Sequence, residues 1–140
     1  MAVTPRIHHV ALVVEDLESA LAFWRDVLGL PLAAVQDVPE QEARIAFLPA
    51  GEAEVELVLP TTADSGIARY LARRGPGMHH LCLEVSDLDA MLERLRLSGV
   101  RVIHAEPAVG AEGRRMAFLH PESTQGVLVE LYEVARAASG

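Results

Sequence analysis

The stretch RIHHVALVVEDLESAL, residues 6–21, recurs as GMHHLCLEVSDLDAML at residues 77–92. Each copy sets a His-His pair ahead of an alternating apolar run, then Asp-Leu, then apolar residues at helical spacing. His8-His9 maps onto His79-His80, Asp16-Leu17 onto Asp87-Leu88, and RIAFL (Arg44 to Leu48) onto RMAFL (Arg115 to Leu119), all at an offset of 71. VEL (Val55 to Leu57) maps onto VEL (Val129 to Leu131) at an offset of 74, which assigns the extra residues to the turn HPESTQG. Two copies are too few for a solenoid, which needs at least three repeats to bury a continuous core. They predict one domain over residues 1–140 with pseudo-twofold symmetry: module 1 at about 6–60, a linker helix at about 64–75, and module 2 at about 77–134.

Each module reads as βαβββ, giving an α+β fold. HHVALVV alternates and is rich in β-branched residues, as a half-buried strand should be. Asp16 stands where a helix N-cap would, Leu17, Ala20, Leu21, Trp24 and Leu28 follow at helical spacing, and Gly29 ends the run. Leu88, Met91, Leu92 and Leu95 repeat that stripe up to Gly99. Three further strands are predicted per module, at 32–37, 44–49 and 54–59, then at 102–105, 114–119 and 126–133. The linker DSGIARYLARRG predicts a helix with Asp64 as N-cap and Gly75 at its end.

Strand parity sorts the histidines. Neighbours along a strand point to opposite faces. Val10, Leu12 and Val14 form the fuller apolar set and should pack on the helix with His8, so His9 faces away. In the second copy His80, Cys82 and Glu84 face away from the helix side of Leu81, Leu83 and Val85. In the last strands Val55, Leu57 and Leu59 pack on the helix and leave Glu56 on the other face, as Val129 and Leu131 leave Glu130 and Tyr132. His9, Glu56, His80 and Glu130 thus occupy repeat-equivalent positions on the non-helix face. A sheet curled into a cup would bring them together as an N/O site for Mn, Co, Ni, Fe or Zn. Glutamates inside otherwise apolar strands are costly to bury without such a partner. His8, His79, His104 and His120 are not expected to be ligands.

Composition narrows the function classes. The formal net charge of −8 argues against a nucleic-acid partner. No apolar run approaches the roughly 20 residues of a membrane span, and the N-terminus lacks a signal-peptide pattern. The single cysteine, Cys82, precludes an internal disulfide and fits a reducing cytoplasm. Only the tail ARAASG is expected to fray.

With these residues in view, the chain resembles the vicinal oxygen chelate (glyoxalase/bleomycin resistance/dioxygenase) superfamily, and within it the methylmalonyl-CoA epimerase family over nearly its whole length. The matching segments are HHVALVVEDLESALAFWRDVLGL, AFLPAGEAEVELVLP, DSGIARYLARRGPGMHHLCLEV and EPAVGAEGRRMAFLHPESTQGVLVEL. The last is the most specific, with Glu106-Pro107, Gly110, FLHP and GVLVEL in order. The resemblance implies a curled mixed sheet enclosing a metal-binding cup, with His9, Glu56, His80 and Glu130 as ligands to Co, Mn, Ni or Zn. It implies an acyl-CoA substrate, interconversion of (R)- and (S)-methylmalonyl-CoA by C2 proton transfer, no organic cofactor, and a homodimer. Glu130 is the implied acid/base, and the position of Glu56 can be Gln in the family.

Three departures stand out. Some epimerases carry an acid/base glutamate in the RIAFL strand, where this chain has Ile45. Glu42 follows Gln41 where the family has Gly, and Gly66 follows Ser65 where the family has Pro. Glu40 and Glu42, on the preceding loop, are weaker acid/base candidates. Arg114, Arg115, Gly110 and Ser65 are weak substrate-binding candidates, because glycines beside guanidiniums suit an anionic thioester tail. Rival readings on the same scaffold are a glyoxalase-type isomerase, an Fe(II) dioxygenase, or a ligand-binding relative without turnover.

Overall fold

The computed structural model describes residues 4–104, 106–110 and 113–134. The expected fraying of ARAASG and the end of the predicted 102–105 strand at Ala105 lie outside the described residues. The chain divides into two compact units, one from His9 to His79, the other from His80 onward together with the first residues up to His8.

The first unit follows the predicted βαβββ order. It holds most of β1 (Arg6–Val13), then α1 (Leu17–Leu21), β2 (Ala34–Val38), β3 (Ala43–Ala50) and β4 (Ala53–Pro60). Asp16 caps α1 by accepting from the Glu18 amide at 3.0 Å and the Ser19 hydroxyl at 3.1 Å. After Leu21 the helix widens into a π-helical turn over Ala22–Val27, closed by the Leu28 amide on the Phe23 carbonyl at 2.8 Å. β1 pairs parallel with β4, setting Ala11 against Glu56. β3 lies antiparallel to both β4 and β2. The β3–β4 hairpin turns at Gly51, whose φ of +67° suits a residue without a Cβ. On one face Leu12, Val14, Val55, Leu57 and Leu59 pack against Leu17, Leu21 and Trp24 of the helical segment. On the other face lie Ala11, Ile45 and Val58, with Phe47 and Ile67 against them.

The linker forms α2 (Gly66–Arg74), ended by Gly75 as predicted. Its N-cap is Ser65 rather than Asp64: the Ser65 hydroxyl accepts from the Ala68 amide at 3.1 Å, while Asp64 gives its carbonyl to Arg69 Nη1 at 2.7 Å. Both side chains suit a cap, and the one three residues before a free amide takes the role.

The second unit repeats the order with the remainder of β5 (Gly77–Val85), α3 (Leu88–Leu97), β6 (Ala108–Val109), β7 (Arg115–Leu119) and β8 (Val129–Glu133). Asp87 caps α3 through the Ala90 amide at 3.1 Å. β5 pairs parallel with β8, setting Cys82 against Glu130, the counterpart of Ala11 against Glu56. Leu83, Val129 and Leu131 face Leu88 and Leu92 of α3. The opposite face carries Cys82, Met116 and Tyr132 with Phe118. The strand predicted at 102–105 is reduced to an isolated bridge from Val102 to Leu119, and the edge strand sits at Ala108–Val109 instead. Pro107, without an N–H, interrupts the segment between them. The strand predicted to begin at 126 begins at Val129, because Gly126, at φ +96°, belongs to the preceding turn.

Candidate metal and acid/base site

Parity along four strands positions the site residues. His9 on β1 and Glu56 on β4 lie on the face away from α1. His9 Nδ1 is 3.1 Å from Glu56 Oε2. In the other unit His80 Nε2 is 3.0 Å from Glu130 Oε1. The buried polar and charged residues among those described are His9, Glu56, Glu130 and Ser65, at 5%, 8%, 8% and 4% exposure. Ser65 is accounted for by its cap. The other three are predicted ligands, and His80, the fourth, is half-buried.

The linings of the two pairs correspond. Phe47 stands opposite Glu56 across the β3–β4 ladder, and Phe118 stands opposite Glu130 across β7–β8. Phe118 also meets the His80 ring edge-to-face, with centroids 5.4 Å apart. Such contacts limit the rotation of the imidazole and keep water from the carboxylate.

The donors fit a divalent metal. Ligands about 2.1 Å from an ion and at right angles to one another lie about 3 Å apart. Each His–Glu pair has that separation. In each unit an imidazole nitrogen beside a carboxylate oxygen is an N/O donor pair of the kind that suits Mn, Co, Ni or Zn. His9, His80 and Glu130 are all possible metal-ligating residues.

The weaker candidates fall elsewhere. Glu40 lies in a 3-10 turn (Pro39–Gln41) and Glu42 follows it at φ +52°, both exposed. Ile45, by contrast, is buried on the same face as Ala11 and Val58. Arg114 is engaged: it donates to Glu84, to the Glu133 carbonyl at 2.8 Å, and lies 3.9 Å from the Tyr132 ring centroid. Arg115 makes a two-pronged contact with Asp89 on α3, at 2.6 and 3.0 Å. The hydrogen bond to Arg115 lowers the Asp89 carboxyl below its usual range and raises the Arg115 guanidinium. Gly110 sits where a Cβ would come within 3.2 Å of the Met116 side chain. Parity put His8 and His79 on the helix side, yet their rings meet Tyr132 and Tyr70, at 4.9 and 4.8 Å between centroids. The Glu84–Arg114–Tyr132 cluster escaped sequence reasoning. Glu84 and Tyr132 gave a signal by their parity on the non-helix face and Arg114 as a cation beside glycines, but nothing in the pattern joined them.

Residues 8–118 match the family model described as the Glyoxalase/Bleomycin resistance protein/Dioxygenase superfamily. The chain belongs to that superfamily. Among its relatives, the mitochondrial methylmalonyl-CoA epimerase of Mus musculus is 40% identical over 90% of this chain and 71% of its own length. The ethylmalonyl-CoA/methylmalonyl-CoA epimerase of Cereibacter sphaeroides is 40% identical over 92% of this chain and 98% of its own. A substituted Streptomyces coelicolor methylmalonyl-CoA epimerase, solved in complex with 2-nitronate-propionyl-CoA, is 35% identical, with a TM-score of 0.85 over 94% of this chain and 98% of that one. The superfamily fold is thereby the fold of this chain: α+β, two βαβββ modules and a mixed sheet.

Proposed function

We infer that this chain is a methylmalonyl-CoA epimerase, an isomerase that moves the C2 proton of an acyl-CoA thioester. The observation that carries the reading is the pair of His–Glu couples at repeat-equivalent positions, three of the four residues buried and His80 half-buried, in a chain similar over nearly its full length to proteins bearing that name.

His9, Glu56, His80 and Glu130 are proposed as the ligands of one divalent ion, Co, Mn, Ni or Zn. Held there, such an ion would supply Lewis-acid chemistry, favouring negative charge on the thioester oxygen. The chain's own residues supply the remainder. Phe47 and Phe118 shield the carboxylates opposite them from water, which strengthens every charge interaction nearby. Glu130 is the proposed proton carrier, a role worth about 10²–10⁴ in rate. Ile45, Ala11 and Val58 surround His9 and Glu56 with apolar side chains, so beyond those two residues this face of module 1 orients the substrate rather than carrying a proton. Glu40 and Glu42 are the remaining candidates for a second proton carrier, Arg114, Arg115, Gly110 and Ser65 for substrate contact.

A cytoplasmic homodimer completes the proposal. The apolar side chains of Phe23, Val27 and Leu28 stand exposed around the π-helical turn, a surface suited to a second copy. Among the described residues no helix is long and apolar enough to cross a membrane.

The test is NMR of methylmalonyl-CoA in D2O with metal-loaded enzyme. Deuterium should enter C2 at a rate that collapses on chelation. Incorporation no faster than in a chelated control would end the epimerase reading.

A further inference from the structure

We propose that the exposed face of α2 binds the phosphates of the nucleotide tail of the acyl-CoA substrate. This rests on the acyl-CoA reading above and adds the site that holds the far end of the molecule.

The chain carries 12 cationic residues, all arginines, against 20 acidic ones. Three of the twelve, Arg69, Arg73 and Arg74, fall within the nine residues of α2. Arg6, Arg25, Arg44, Arg101, Arg114 and Arg115 each meet a carboxylate. Among the described residues the three on α2 meet none within salt-bridge distance. Arg69 donates only to the Asp64 backbone carbonyl, and Arg74 lies 5.6 Å from the centroid of the Tyr70 ring. Three guanidiniums and no carboxylate within nine residues make this helix locally cationic in a chain whose net charge is −8.

At about 100° per residue, Arg69, Tyr70, Arg73 and Arg74 share one side of the helix. Ala68, Leu71 and Ala72 share the other and line a cavity with Leu59 and Pro60. The helix dipole explains cations in the last turn, where Arg73 and Arg74 sit, but not Arg69 in the first half of the helix.

The helix is also fixed to the face that carries the metal candidates. Ile67 packs on the cluster of Ala11, Ile45 and Val58, on the face shared with His9 and Glu56. The Tyr70 hydroxyl donates to the Met78 carbonyl at 2.8 Å, and its ring meets His79, the residue before His80. On that reading the acyl end is held by that face and the anionic tail reaches α2, where guanidiniums pair with phosphate oxygens in two-pronged fashion. Arg74 already covers the Tyr70 ring, so this surface reads phosphate rather than a stacked base.

Titration calorimetry of the full chain with coenzyme A, 3′,5′-ADP and pantetheine tests the proposal. The triple variant Arg69→Ala, Arg73→Ala, Arg74→Ala should bind coenzyme A and 3′,5′-ADP about tenfold more weakly. Its pantetheine affinity should stay within about twofold of wild type. The matching triple Arg→Lys variant should retain most of the affinity for coenzyme A, and added salt should weaken wild type but not the alanine variant. Equal coenzyme A affinity in wild type and the alanine variant overturns the proposal. So does a parallel loss for pantetheine in a variant whose thermal melt matches wild type, because the arginines then do not act on the phosphates. If wild type binds neither coenzyme A nor pantetheine and exchanges no C2 proton, the acyl-CoA reading itself has failed.

Discussion

Glu56→Gln and Glu130→Gln should behave alike as structural changes and differently as chemical ones. The two carboxylates sit in matched surroundings: each is 8% exposed, each lies about 3 Å from one imidazole nitrogen, and each faces a phenylalanine across an antiparallel ladder. Glutamine keeps the shape and one carbonyl donor but loses the charge. The change weakens a charge-assisted hydrogen bond in both places, worth about 1–2 kcal/mol. For a chain of 140 residues that is a shift of about 5 °C in Tm, equal in the two variants to within about 0.5 kcal/mol. Activity should separate them. Glu56 is assigned only to ligation, which an amide oxygen can serve, so C2 exchange in D2O should fall by about tenfold or less. Glu130 is assigned the proton as well, so its variant should lose about 10²–10⁴ at similar metal content. Tm is measured on metal-free protein, where each imidazole can pair with its carboxylate, and exchange by NMR on metal-loaded protein with metal content by mass spectrometry. Equal losses of exchange at equal metal content would refute the assignment of the proton to Glu130. Unequal Tm shifts would refute the claim that the two environments match.

Three further outcomes follow from other parts of the structure. Glu42→Gly should raise Tm, because Glu42 occupies the left-handed region at φ +52°, which costs a side-chain-bearing residue about 1 kcal/mol; differential scanning calorimetry reads the shift, and a fall in Tm would mean that the Glu42 side chain makes a contact that outweighs its backbone. Ser65→Ala should cost about 1 kcal/mol through loss of the α2 cap. An accompanying large rise in KM would give Ser65 a substrate contact beyond the cap. The lowered Asp89 carboxyl contributes stability above the ordinary carboxylate range that is lost as pH falls through its folded pKa. Thermal melts should therefore show wild type above Asp89→Asn at pH 6, with the gap closing in acid; a gap that persists in acid would rule out the ion pair as its source.

Much of this was legible because two periods coincide in the sequence. Alternation fixes which side chains leave a sheet on the same face, and a repeat at offsets of 71 and 74 tests each assignment twice. That is why Glu56 and Glu130, remote in sequence from the histidines, could be matched to them before any contact was known. What the alternation cannot register is hydrogen bonding. Asp64 and Ser65 are both good caps, and only the reach of the Ser65 hydroxyl to the Ala68 amide decides between them. The π-helical turn at Ala22–Val27 leaves the apolar spacing of Leu21, Trp24 and Leu28 almost unaltered, so it has no signature in the pattern. The displaced edge strand at Ala108–Val109 reflects a proline that alternation ignores. Arg114 was legible as a cation beside glycines, but its partner Glu84 lies 30 residues away and emerges only from strand order.

The two modules share their donors and the phenylalanine opposite each carboxylate but differ in the side chains beyond, and the proposed chemistry depends on that difference. Ala11 corresponds to Cys82, Ile45 to Met116, and Val58 to Tyr132 by the same offsets that match the histidines and glutamates. Module 1 thus surrounds its His–Glu pair with hydrocarbon. Module 2 adds a thiol, a phenol, and beyond them the Arg114–Glu84 pair. A metal would gain from repeated donors, since each copy offers one imidazole and one carboxylate. Moving a proton at one stereocentre has no use for identical surroundings, because the groups that hold the methyl and those that handle the proton differ in kind. Duplication accounts for the matched His–Glu pairs, and on the proposed mechanism divergence around them separates a face that binds from a face that reacts. Replacing Tyr132 by Phe should then cost exchange activity, whereas Val58→Ile, its counterpart in the apolar module, should alter KM more than kcat. The reverse pattern in steady-state kinetics would show that the division of labour has been assigned to the wrong modules.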